Sequence, residues 1–74
     1  MNRQEKIQAN KRGLEMVTNQ IHRLKQNIMP PELEESGLEI FKTREKAIEG
    51  LMKAKTADKE AFEHIIRTLE AEDA

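Results

Sequence analysis

Apolar side chains recur along the first third of the chain at a seven-residue interval. Ile7, Leu14, Ile21 and Ile28 stand seven apart, and Val17 and Leu24 follow Leu14 and Ile21 by three. That is the narrow seam of coiled-coil-like packing, and it predicts a helix over about residues 2–28. Asn10 takes the remaining inner position of the seam. Gly13 weakens a helix by roughly 1 kcal/mol relative to Ala, which suits a site where another backbone comes close.

Pro30 and Pro31 then interrupt the pattern. A proline lacks the N–H that a helix interior needs, and it disfavours helical geometry in the residue before it. Ser36-Gly37-Leu38-Glu39 reads as a capping box, in which Ser36 and Glu39 would satisfy each other's backbone N–H groups. These signals place a connection over Met29 to Ser36 and a second helix over about residues 37–72. Pro31 also suits the first position of a single helical turn running to Glu34.

The second helix carries a seam of Phe41, Ile48, Leu51, Phe62, Ile65 and Leu69, with Arg44, Lys55 and Asp58 as polar interruptions. Beside it runs a stripe of small residues, Ala47, Gly50, Ala54, Ala57 and Ala61. Their spacings of three and four put them on one helical face, where a second helix can come close. Met52 and Ile66 widen the apolar surface beyond what one neighbouring helix covers. Thr56 or Asp58 would suit a helix start, so a three-helix bundle broken near residues 55–58 is the alternative. Ala-Lys-rich sequence without Pro or Gly favours continuity there.

The pattern thus predicts an all-α single domain, an antiparallel helical hairpin. Pairing across the connection brings together residues whose numbers sum to roughly 67. Gly13 would lie beside Ala54, and Asn10 beside Lys55 and Asp58 in a polar layer that fixes register. Helix one would run out opposite Ile65, leaving Ile66 and Leu69 uncovered. Two helices enclose no core, so the reading includes self-association, most simply a four-helix-bundle homodimer with twofold symmetry.

Composition narrows the function. Seventy-four residues make one marginal domain, and the lack of cysteine removes disulfides and thiolate metal sites. No apolar run approaches a membrane span, and the first ten residues lack the apolar core of an export signal, so a cytoplasmic protein is expected. Phosphate loops, nucleophile elbows and cysteine nucleophiles are missing, and the expectation is a non-enzyme without cofactor or metal. Glu60 and His64 are four apart, but two such ligands make no closed metal site. His22 reads as a surface residue.

Charge is unevenly spread. Residues 1–29 carry six basic side chains against two acidic ones, and residues 30–74 carry seven against twelve. Arg3, Lys6, Lys11, Arg12, Arg23 and Lys25 offer phosphate contacts on helix one, which makes nucleic-acid binding the alternative function. No aromatic interleaves them for base stacking. The preferred reading is a small module that binds another protein, as an adaptor, co-chaperone or inhibitor, through apolar helix faces. Phe62, Ile65, Ile66 and Leu69 are the expected partner or self-association surface. Met29 and Leu33 either cap the end of the bundle or form an apolar tip on the connection.

Overall fold

The structure is a computed structural model that describes residues 2–72, and of residues 36 and 37 only the backbone. Among the described residues it is all-helical, with α1 over Arg3–Lys25, α2 over Pro31–Phe41 and α3 over Arg44–Ala71.

Helix α1 begins at Asn2, whose Oδ1 accepts the Glu5 N–H at 2.8 Å. Glu5 in its first turn and His22, Arg23 and Lys25 in its last complement the helix dipole. The helix stops at a left-handed residue, Asn27, with φ of 62°. The Ile28 N–H reaches the Arg23 carbonyl at 2.9 Å, and the Asn27 N–H reaches that of Leu24 at 3.0 Å. This is the two-bond cap usually built on Gly and sometimes on Asn. Asn27 therefore ends α1 earlier than expected, and the prolines have another job. Pro31 is the first residue of α2, where its fixed φ suits a helix start, and it holds Pro30 extended.

The expected second helix over 37–72 is two helices. The chain is already helical at residues 36–39, so no helix starts at the expected capping box. The break falls at Lys42 and Thr43. Lys42 has φ of 66°, and Thr43 is extended and caps α3 by accepting the Lys46 N–H on Oγ1 at 3.2 Å. Helix α3 then runs unbroken through 55–58. There the Thr56 hydroxyl donates back to the Met52 carbonyl at 2.7 Å instead of capping a new helix. The three-helix alternative has the right number of helices and the wrong break.

Helices α1 and α3 pack along each other with opposite chain directions. Lys11 Nζ lies 3.8 Å from Glu70 Oε2, Gly13 lies under the Phe62 ring, and Leu24 joins Ala47 in the core. Gly13 thus faces Phe62 rather than Ala54, a slip of two helical turns. The cause is α2, which takes up residues 31–41 and seats the end of α1 against Ala47 rather than Leu38 or Phe41. The expected polar layer is lost with that register: the Asn10 amide donates to the Lys6 carbonyl of its own helix at 2.8 Å. The slip also covers Ile66, which is only 7% exposed within the single chain, while Leu69 is half-buried.

Helix α2 lies on the first half of α3. The Phe41 ring covers Gly50 so closely that no side chain fits beneath it. Leu24, Met29 and Ala47 form the buried centre, with Leu33, Phe41, Ile48, Leu51 and Met52 packed around it. Between α1 and α2, Gln20 Nε2 donates to Glu32 Oε1 at 3.3 Å.

Candidate interaction groove

The helices differ greatly in length. At about 1.5 Å per residue, α2 is roughly 16 Å long and α3 roughly 42 Å, in a molecule with a long axis of 47 Å. A short third helix on two long ones covers only one end of the groove between them. At the other end the groove stays open.

That open end holds about 410 Å³. Val17 is its floor, 2% exposed, and Met16 on α1 and Ala61, Phe62 and Ile65 on α3 line it. Met16 is 55% exposed and Ile65 41%. On α3 the lining continues the small-residue stripe. Ala47 and Gly50 lie under or beside α2, whereas Ala54, Ala57 and Ala61 are exposed. Residues 54, 57, 61 and 65 keep the helical spacing, so the seat that α2 occupies runs on uncovered towards Ile65.

Polar groups mark the boundary between the covered and open parts. Lys55 Nζ and Asp58 Oδ2 stand 3.9 Å apart at the groove wall. Gln20 is 4% exposed, and its Oε1 has no hydrogen-bond partner. Its Nε2 holds Glu32 at the start of α2. The Glu32 carboxyl has its pKa lowered from the ordinary value, first because its own backbone N–H donates to it and then because Gln20 does.

The expected site residues are dispersed. Phe62 and Ile65 belong to the groove. Ile66 is in the core and Leu69 is half-buried, so the four do not form one exposed patch. Met29 is 8% exposed and part of the central cluster, with Leu33 packed against it. The exposed apolar residues near that end are instead Ile28, Leu38 and Ile40.

The six basic residues of α1 do not share a face. At about 100° per residue, Arg12 and Arg23 fall on the flank that bears Met16, whereas Lys11 and Lys25 fall on the opposite one. Arg3 is half-buried, and Lys11 is taken up by Glu70.

Met16, Val17 and Ala61 were not among the expected site residues. Their signal was present: Met16 falls off the heptad seam, on the flank that faces the small-residue stripe of α3.

Among the described residues no three His, Asp or Glu side chains converge as for a metal ion, and no helix is long and apolar enough to cross a membrane. Compared with protein-family models, with curated proteins and with solved structures, the chain matches none.

Proposed function

We propose that this chain is a non-enzymatic protein-interaction module, an adaptor, co-chaperone or inhibitor, that accepts an apolar helix of another protein in its open groove. The observation that carries this reading is the half-filled third-helix seat. Helix α2 covers α3 at Ala47 and Gly50, and beyond its first turn at Glu32 the groove stays open at Ala61, with Met16 and Ile65 exposed on its walls.

A partner helix with apolar anchors three and four residues apart would continue the layer that α2 begins. Small residues on α3 let its backbone come close, as Gly50 does for Phe41. Covering the exposed halves of Met16 and Ile65 contributes on the order of 1 kcal/mol each. Discrimination among partners would come from their fit around the Lys55–Asp58 wall.

The test is a photo-crosslinker placed at Ala61, in the wild-type background and with Met16→Asp plus Ile65→Asp. Both substitutions fall on exposed positions, so the helical circular dichroism should persist. The expected result is a discrete crosslinked partner that disappears in the double variant. Equal crosslinking in both backgrounds would refute the groove as the site. Nucleic-acid binding has no comparable support, because the basic residues of α1 are spread around the helix.

A further inference from the structure

We propose that two copies of this chain exchange α3, with Lys42 and Thr43 as the hinge. In the exchanged state α2 and α3 merge into one helix over residues 31–71, and α3 of each copy packs on the α1–α2 arm of the other.

Three observations converge on these two residues. First, Lys42 holds a left-handed backbone, φ 66° and ψ −31°, in a side chain with a Cβ and no local polar group to favour it. Straightening the chain returns it to ordinary helical geometry. Second, nothing downstream opposes a continuous helix. Past Pro31 the chain has no proline, and Gly50 already lies within α3. Third, the helix–helix packing lies across the hinge. Helix α3 packs on α1 and on α2, whereas α1 and α2 do not pack backbone to backbone. Leu24, Met29 and Leu33 meet Ala47 of α3 in one cluster, and Gln20 Nε2 holds Glu32, so the α1–α2 arm presents one apolar surface to α3.

The arm and α3 can therefore separate as two pieces and form the same contacts again with a second copy. Short, strained hinges between elements that pack on each other are the usual setting for such exchange. Within one chain the two-residue hinge keeps the arm and α3 at high local concentration, so the closed monomer dominates when dilute and the exchanged dimer grows with concentration. Each lobe of that dimer would rebuild the groove beside Met16 and Ile65, so the dimer would present two grooves where the monomer presents one.

The experiment uses the salt-bridged pair Lys11 and Glu70, whose side chains are about half exposed and 3.8 Å apart. One chain carries Lys11→Cys and a second, mass-tagged chain carries Glu70→Cys. The two are unfolded together, refolded at high concentration, separated by size and treated with a flexible bis-maleimide, because a Lys–Glu pair meeting at its tips leaves its Cβ atoms too far apart for a direct disulfide. The expected result is a crosslink joining the two kinds of chain in the dimer fraction. A dimer without that crosslink, or a chain that stays monomeric at millimolar concentration in sedimentation equilibrium, would overturn the proposal.

Two hinge variants must also move the dimer in opposite directions. Lys42→Gly relieves the left-handed residue and weakens the straight helix. It should raise the dimer dissociation constant by roughly 30-fold or more, counting both hinges. Thr43→Ala removes the cap of α3 in the closed chain and should lower the constant by roughly 30-fold. Equal shifts in one direction would also refute the hinge. Should either variant fail to fold, the crosslink in the otherwise native chain still decides.

Discussion

Replacing Gly50 by Ala tests how α2 is seated. On helix propensity alone the change should stabilise the protein, because Gly in a helix interior is about 1 kcal/mol worse than Ala. The structure predicts the opposite sign. An ideal Cβ on Gly50 would meet Phe41 Cζ, Cε1 and Cε2, all three nearer than van der Waals contact permits, with Cε2 at 2.9 Å. The ring cannot simply swing away. Phe41 is the last residue of α2, next to the Lys42 turn, and its ring packs on the Leu24–Met29–Ala47 cluster.

Overpacking of this kind costs about 1–3 kcal/mol. Set against the propensity gain, Gly50→Ala should destabilise by on the order of 1 kcal/mol. In a domain this small that lowers the melting temperature by roughly 4–8 °C. Urea unfolding followed by circular dichroism, at concentrations where the chain is monomeric, measures the change. The deciding comparison is the same substitution in a Phe41→Ala background, where the ring is gone. There Gly50→Ala should stabilise by about 1 kcal/mol, so the cycle should show a coupling near 2 kcal/mol. If Gly50→Ala stabilises equally in both backgrounds, Phe41 does not lie on Gly50 and the placement of α2 is wrong.

Other substitutions test the rest of the fold by the same measurement. Leu24→Ala empties the central cluster at a residue only 2% exposed, and should cost about 2–5 kcal/mol in urea unfolding. Asn27→Gly should stabilise by up to about 1 kcal/mol, since Gly takes the left-handed cap without strain, whereas Asn27→Val should destabilise. Asn10→Leu should be neutral or stabilising, because the Asn10 amide serves only its own helix; a clear loss of stability would indicate a buried polar partner. Glu32 has its pKa lowered in the fold, so the stability it contributes is present above the ordinary carboxylate range and is lost as pH falls through its folded value. The difference in stability between wild type and Glu32→Gln should shrink on acidification and be flat above neutrality.

The all-helical class and the existence of α1 were legible because a seven-residue seam has few other readings, but the seam overran the helix end, since α1 stops at Lys25 and Ile28 is exposed. Ile7, Val17, Ile21 and Leu24 are buried as that seam requires. The continuity of α3 through residues 55–58 was legible for a similar reason, since Ala-Lys-rich sequence without Pro or Gly offers no place to stop. The break at Lys42 was not legible. Lysine has no preference for a left-handed backbone, and Thr43 lacks the acidic residue three positions on that completes a capping box. The stronger local signal, Ser36 with Glu39, lies inside α2, because Pro31 had already started the helix five residues earlier.

The missed break carried the register with it. Without α2, Gly13 is expected beside Ala54, and the small-residue stripe of α3 serves α1. With α2 inserted, the stripe is divided. Gly50 takes Phe41; Ala54, Ala57 and Ala61 are left exposed, and Ala61 lies in the groove with Met16 and Ile65. Ile66 moves from the expected outer surface into the core by the same shift. Periodicity reports which side of a helix is apolar and does not report which helix covers it. The uncovered surface, and with it the proposed function, therefore follows from where two unremarkable residues, Lys42 and Thr43, turn the chain back on itself.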